Sequence, residues 1–132
     1  MTAAGQTART APVQRRRRGQ TAHVAGQAAE AMVARIYESA GHPVAARRWR
    51  GPSGEIDLVT RDGEGVIFVE VKKARDFAQA AGRISRRQIE RLFAAGTEYV
   101  AQMPKGTLTD MRFDLALVDA AGRVEVVENA FA

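Results

Sequence analysis

Cysteine is absent from this chain of 132 residues, and histidine occurs only twice, as His23 and His42. The lack of cysteine excludes disulfide bonds and thiolate chemistry, which suits a reducing compartment. Two isolated histidines without ligand spacing predict no zinc-type site. No apolar run approaches the length that crosses a bilayer, and the first residues lack the apolar block of a secretory signal. We therefore expect a cytoplasmic protein that does not associate with membranes.

Acidic residues are missing from the first twenty positions, where Arg9 and Arg15 to Arg18 place five positive charges. These five account for the net charge of +5, because the other fifteen basic residues match the fifteen acids. The segment has no hydrophobic periodicity, so it predicts a disordered basic tail over residues 1–22. Such a tail could simply be solvated, could hold phosphate backbones by charge or, as the least favoured reading, could be an organelle transit peptide.

Residues 23–132 are enough for one domain with a hydrophobic core and too few for two. Helical spacing in two segments and alternating β-formers in five others predict the order α-β-β-β-α-β-β. The predicted elements are a helix over 23–40, strands over 43–50, 55–60 and 66–72, a loop over 74–82, a helix capped by Ser85 and ending near 102, and strands over 111–118 and 123–127. A mixed sheet flanked by helices would bury these patterns.

The strands over 55–60 and 66–72 predict a β-hairpin with two different faces. Because side chains alternate along a strand, Ile56 and Leu58 are expected to share an apolar face with residues of the returning strand. Those residues are Ile67, Val69 and Val71. The opposite face would then carry Glu55, Asp57, Val59, Val66, Phe68, Glu70 and Lys72. Two or three carboxylates are thus expected on one side of the hairpin.

The hairpin loop decides which carboxylates meet. A two-residue loop of Gly63 and Glu64 would set Asp57 directly opposite Glu70, with Cβ atoms roughly 5 Å apart. A loop of Asp62 and Gly63 would instead set Glu55 opposite Glu70, with Asp57 as the diagonal neighbour. A three-residue loop without a bulge would put Asp57 and Glu70 on opposite faces.

Paired carboxylates on a hairpin suggest a metal site. Two like charges this close are costly unless a cation lies between them, and Mg²⁺ prefers carboxylate and carbonyl oxygens. The carbonyl of Val71 would be a further ligand, and Lys72 would place positive charge beside an attacking water or a developing phosphorane. This layout suits metal-assisted phosphodiester hydrolysis, with Mn²⁺ as the alternative ion. The plainer interpretation is a solvated face of alternating Glu and Lys.

Seven short motifs run from about residue 24 to the end of the chain. They are Gly26-x-x-x-Glu30, Gly41-His42, Arg48-Trp49-Arg50, Gly54-Glu55-Ile56-Asp57-Leu58, Phe68-Val69-Glu70-Val71-Lys72, Arg112-Phe113-Asp114 and Glu128-Asn129-Ala130-Phe131. Together they resemble the YraN family, whose members are similar to the PD-(D/E)xK nucleases. The resemblance implies a restriction-endonuclease-like fold and an endonuclease, without fixing its substrate. We expect the substrate to be DNA, branched or damaged.

The resemblance also implies roles for single residues. Asp57 and Glu70 would be metal ligands, Lys72 the water-activating or charge-stabilising group, and Glu30 an acid presented from the first helix. Gln88 matches a polar position of the family and would orient a ligand or a phosphate. Four residues depart from the pattern, namely Ala29 for Gly, Lys73-Ala74 for Thr-Arg and Arg87 for Lys. The departures beside Lys72 bear on substrate contacts rather than on the core catalytic groups.

Basic residues outside the hairpin are candidates for nucleic-acid contact. Arg48 and Arg50 flank Trp49, an aromatic that could stack on a base or could equally anchor the core. A positive stripe, Arg83, Arg86, Arg87 and Arg91, opens the second helix and, with Lys73, could track phosphates or could be a solvated face. Asp114 is expected to be a structural partner rather than a third ligand.

Two functions from different classes remain open. The first is a Mg²⁺-dependent endonuclease, and the second is a non-catalytic nucleic-acid-binding protein that retains the nuclease fold. A domain this small offers limited surface for wrapping a duplex, so a homodimer or a partner protein is a further expectation.

Overall fold

The segments with alternating and helical spacing of apolar residues form a single mixed sheet with helices on both sides. The computed structural model of the chain describes residues 22–131, with side chains from Gly26 onward. Its elements are α1 (Ala22–Ser39), β1 (Val44–Gly51), β2 (Gly54–Asp62), β3 (Gly65–Lys73), α2 (Phe77–Ala81), α3 (Arg86–Val100), a short 3₁₀ helix (Gly106–Leu108), β4 (Met111–Val118) and β5 (Val124–Val127). All five predicted strands are present. The predicted tail lies outside the described residues, except for Ala22, which begins α1.

The predicted loop over 74–82 was wrong in one respect, because it contains the short helix α2. The carboxylate of Asp76 accepts a hydrogen bond from the backbone N–H of Gln79, which caps the first turn. Helix α3 begins as predicted. Ser85 accepts from the Gln88 N–H while the Gln88 side chain accepts from the Ser85 N–H, a reciprocal capping box.

The sheet has the strand order β1-β2-β3-β4-β5. Neighbouring strands are antiparallel except β3 and β4, which run parallel. A parallel pair needs a crossover connection, and α2 and α3 supply it. Because the pair β3–β4 lies at the centre, the crossover helices cover the middle of one face of the sheet.

Two core layers fill the spaces above and below the sheet. On the first side, α1 buries Val33 and Tyr37 against Leu58, Val69 and Ala116. On the other side, α3 buries a second set, which we call the α3-face cluster: Ile56, Val59, Val66, Phe68, Leu92, Ala95 and Val100, with Ala46, Trp49, Tyr99, Met103, Phe113 and Phe131 packed against it. None of the helices within 22–131 is both long and apolar enough to span a bilayer.

The expected face of Ile56 was wrong. Strict alternation would place Ile56 with Leu58, but Ile56 is buried in the α3-face cluster whereas Leu58 packs under α1. Alternation therefore breaks between them, at Asp57. The break coincides with the point where β2 leaves β3, since their recorded pairing extends from Asp62–Gly65 only as far as Leu58–Val69.

Candidate functional site

The hairpin loop is the two-residue form, Gly63-Glu64. Asp62 pairs with Gly65, and Gly63 has a φ of 61°, the positive value that suits the first central residue of a type II′ turn. This register, continued one step past Leu58–Val69, sets Asp57 opposite Glu70. The first of the two predicted two-residue registers is therefore confirmed.

The carboxylate of Asp57 occupies the gap where β2 and β3 separate. Its Oδ2 accepts a hydrogen bond of 2.8 Å from the backbone N–H of Val71. A backbone donor of β3 is thus satisfied by a side chain of β2 in place of a strand carbonyl. The Asp57 side chain is consequently held between β2 and β3, next to Glu70.

Glu70 and Lys72 lie two residues apart on β3, on the side that carries Phe68 and faces α3. The Lys72 Nζ is 3.1 Å from the Glu70 Oε2, and the two side chains are only 17% and 14% exposed. The pair is largely buried. In a buried environment the attraction between two opposite charges is stronger than at an open surface, but removing each charge from water costs more free energy.

Both carboxyl groups resist ionisation. Burial, reinforced by the negative charge of Glu70, raises the pKa of Asp57 to about 7 against the lowering effect of the Val71 hydrogen bond. Burial also raises the pKa of Glu70, although Lys72 opposes that shift. When both carboxyl groups are ionised, the residues around them compensate their negative charge only in part.

Glu30 approaches this pair from α1 but is engaged elsewhere. Its Oε1 accepts a hydrogen bond of 3.0 Å from the Nε of Arg48, and its charge adds to the rise in pKa of both Asp57 and Glu70. Among the described side chains, no set of three or more His, Cys, Asp or Glu residues is placed to hold a metal ion. Glu30 therefore lies beside the two carboxylates without joining them in a three-acid cluster.

A cavity of about 110 Å³ opens next to Glu70. It is lined by Gly54, Glu55, Glu70, Gln88, Arg91 and Leu92. The capping box engages the carbonyl oxygen of Gln88, which leaves its NH₂ group for a ligand in the cavity. From the sequence, Arg91 was assigned only to the positive stripe at the start of this helix. Its position one turn after Gln88 was the signal that could have assigned it to the same site.

The other predicted contact residues are more dispersed. Arg50 is exposed and lies 3.8 Å from Glu55, and Lys73 ends β3 in a half-buried position. Arg86 and Arg87 are exposed in the first turn of α3. Trp49 packs edge-on against Tyr99 with ring centroids 5.2 Å apart, so it is a core anchor.

The sequence that carries this candidate site matches a known protein family. The uncharacterised protein family UPF0102 matches residues 29–118. The chain belongs to this family. A UPF0102 protein of Cereibacter sphaeroides (strain ATCC 17029 / ATH 2.4.9) is 60% identical over 114 residues, which cover 86% of this chain and 97% of that protein. The corresponding values are 57%, 86% and 93% for Ruegeria pomeroyi, and 41%, 98% and 98% for Dinoroseobacter shibae.

The UPF0102 match agrees with the YraN-like resemblance of the sequence motifs. Its span includes the carboxylates and the lysine of the site as well as Gln88 and Arg91, whereas Arg15 to Arg18 lie outside it. The part of the chain that defines UPF0102 is therefore the part that builds the hairpin, the cavity and the helix that faces them.

Proposed function

We propose that this UPF0102 protein is a Mg²⁺-dependent endonuclease with a restriction-endonuclease-like fold that hydrolyses phosphodiester bonds in DNA. One observation carries the proposal. Asp57 lies in the gap between β2 and β3 next to Glu70, both carboxyl groups have a raised pKa, and Lys72 forms an ion pair with Glu70. Buried carboxylates with perturbed pKa values in a cleft are typical of a functional site.

The donor set fits a hard divalent cation. Asp57 and Glu70 would hold Mg²⁺ or Mn²⁺, with the Val71 carbonyl as a further oxygen ligand and Glu30 as an outer acid. When bound, such an ion lowers the pKa of water and offsets charge on phosphate oxygens. The raised pKa of both carboxyl groups supports this fit, because an added cation would favour their ionised forms.

The residues around the carboxylates would bind and orient the substrate. Lys72 would hold an attacking water by a hydrogen bond and offset the negative charge that develops at phosphorus. Gln88 and Arg91, which line the cavity beside Glu70, would contact a phosphate group next to the cleaved bond. The exposed charges of Arg50, Arg86 and Arg87 would hold more distant phosphates, with Arg48 and Lys73 nearer the site.

Cleavage and metal binding test the proposal together. Labelled linear, branched and single-stranded DNA and RNA are incubated with the protein in Mg²⁺ or Mn²⁺, and metal affinity is measured by calorimetry. Asp57→Asn and Lys72→Ala are expected to lower cleavage about a thousandfold or more, and Asp57→Asn to remove one metal site. Asp62→Asn and Lys105→Ala alter the same residue types at exposed positions and serve as controls. No cleavage by the wild type in either metal would refute the proposal.

A non-catalytic nucleic-acid-binding role is the second candidate. The observation in its favour is that Lys72 already forms an ion pair with Glu70, while the described side chains form no three-acid cluster. DNA affinity that is unchanged by chelator and by Asp57→Asn, together with no cleavage, would support it. Because the domain is small, a second copy or a partner protein would extend the DNA-binding surface in either case, which sedimentation with and without DNA would detect.

A further inference from the structure

One residue of β1 departs from strand geometry beside the proposed site. Arg48 has a φ of 49°, in the left-handed region that residues with a Cβ rarely adopt. The β1–β2 register pairs the residues on either side of it, so Arg48 lies opposite Asp57. An unusual backbone conformation in one strand and the site's carboxylate in the next therefore occupy the same step of the sheet.

In both β1 and β2, the alternation of side chains between the two faces of the sheet is interrupted at this step, at Arg48 and Asp57. In a regular strand, residues three positions apart lie on opposite faces. The α3-face cluster nevertheless contains both members of two such pairs, Ala46 with Trp49 on β1 and Val59 with Ile56 on β2. The register is the same before and after the step, so no residue is inserted there. The interruption takes Asp57 out of alternation, in the place where its carboxylate meets the Val71 N–H.

The side chain of Arg48 ties this bend to the neighbouring layer. Its Nε donates to the Oε1 of Glu30 at 3.0 Å, and Glu30 belongs to α1. The Arg48 side chain is 38% exposed and that of Glu30 18% exposed, so the contact lies at the protein surface. A strained backbone persists only where surrounding contacts hold it, and this bond links the strained residue to α1.

We infer that Arg48 is a positioning residue whose left-handed backbone turns Asp57 into the gap between β2 and β3, with its side-chain bond to Glu30 as a secondary support of that bend. The effect of this positioning role on metal binding rests on the proposed function, whereas its effect on the hydrogen bond between Asp57 and the Val71 N–H does not. Glu30 then acts as an anchor for Arg48 and supplies outer negative charge, without direct metal contact.

Substitutions that separate the backbone from the side chain test the inference. Arg48→Gly adopts the left-handed conformation freely, whereas the β-branched Arg48→Val opposes it. Hydrogen exchange of the Val71 amide is measured in metal-free protein, and Mn²⁺ affinity by calorimetry. We expect Arg48→Val to speed that exchange and weaken Mn²⁺ binding about tenfold or more, and Arg48→Gly to stay within about threefold of wild type. Arg47→Val, at the exposed neighbouring arginine, should change neither.

Each outcome bears on the inference. Equal losses in Arg48→Gly and Arg48→Val would overturn it, because the guanidinium alone would then be responsible, and so would unchanged Val71 exchange in Arg48→Val. If Arg48→Val does not fold, Arg48→Ala replaces it and should exchange faster at Val71 than Arg48→Gly. Glu30→Gln should weaken Mn²⁺ binding only about threefold. A complete loss would make Glu30 a ligand and overturn its anchoring role.

The proposed function can fail separately. If wild-type protein binds no metal while Arg48→Val still speeds exchange at Val71, the nuclease proposal is refuted and the positioning role of Arg48 stands.

Discussion

Asp57 on β2 and Asp114 on β4 are both withdrawn from water, but only Asp114 is fully supplied with donors. Asp114 is completely buried and accepts hydrogen bonds from the Tyr37 hydroxyl at 2.6 Å, from two nitrogens of Arg112 at 2.9 Å each, and from the Asn129 N–H at 2.9 Å. Within the described part of the chain, Asp57 accepts one hydrogen bond, from Val71, and the like charge of Glu70 raises its pKa further.

The difference separates a structural acid, Asp114, from the acid proposed to bind metal, Asp57, which we call the binding acid. A buried carboxylate with four donors, two of them from one guanidinium, has its charge compensated inside the fold, and here it ties α1, β4 and the turn at Asn129 together. A carboxylate with one donor and a like-charged neighbour lowers stability when it is ionised, and Lys72 offsets its charge only in part. The expectation that Asp114 is a structural partner agrees with these contacts.

The largest expected effect comes from removing the structural acid. Asp114→Ala should lower the free energy of unfolding by about 3–5 kcal/mol, because it leaves the Arg112 guanidinium without its buried partner. The loss of acceptor for the Tyr37 hydroxyl adds to this cost. Urea denaturation measures the change, with the exposed Asp110→Ala as the control. A loss under about 1 kcal/mol would show that the network around Asp114 contributes little.

Removing the binding acid should have the opposite sign at neutral and alkaline pH. The pKa of Asp57 rises on folding from 3.8 to about 7, so the folded state holds the extra proton and loses stability as pH rises through that window. In chelator at pH 8, Asp57→Asn should therefore stabilise the protein by up to about 4 kcal/mol. Below pH 4 the two proteins should be equally stable. Urea denaturation at both pH values that showed no such divergence would contradict the raised pKa.

Metal should reverse this loss of stability in the wild type but not in Asp57→Asn. At about a hundred times its Kd, Mg²⁺ or Mn²⁺ should add about 2.7 kcal/mol to the free energy of unfolding by mass action. Asp57→Asn should show no such gain, whereas Tyr37→Phe, which alters only the structural acid's network, should keep it. Thermal unfolding with and without metal at pH 8 provides the measurement. Equal gains in the wild type and Asp57→Asn would place the metal elsewhere.

The smallest effect should come from removing one hydrogen-bond donor of the structural acid, Asp114. Tyr37→Phe removes one of the hydrogen bonds to Asp114 and leaves the Arg112 contacts in place. We expect a loss of about 1 kcal/mol, the usual net value of one hydrogen bond. A loss as large as that of Asp114→Ala would mean that the hydroxyl, rather than the guanidinium, holds the carboxylate. Denaturation midpoints of the two variants decide between these results.

Local patterns in the sequence predicted most of the fold. Alternating β-formers and turn residues located all five strands, and Ser85 located the start of α3 because a capping residue acts on its own helix. The short helix α2 was missed although Asp76 and Gln79 carry a usable capping signal. A helix of five residues leaves too little apolar periodicity to distinguish it from a loop.

The site was predicted in composition but not in geometry. Asp57, Glu70 and Lys72 could be grouped because strand parity needs only residue spacing and a turn. The sequence left two two-residue loops and a three-residue loop open, and only the paired backbone chose among them. The break at Ile56 and the left-handed Arg48 could not be predicted, because each depends on contacts with another layer.

The sequence by itself determined which chemical groups the hairpin carries, since alternation is a property of neighbouring residues, whereas the turn length that sets Asp57 opposite Glu70 was decided by the paired backbone. Tertiary structure alone decided that the strands separate at Asp57, that Glu30 is engaged by Arg48, and that Arg91 joins Glu70 at the cavity. These features depend on how α1 and α3 pack on the sheet. Burial, which raises the pKa of both carboxyl groups, exists only once those layers close.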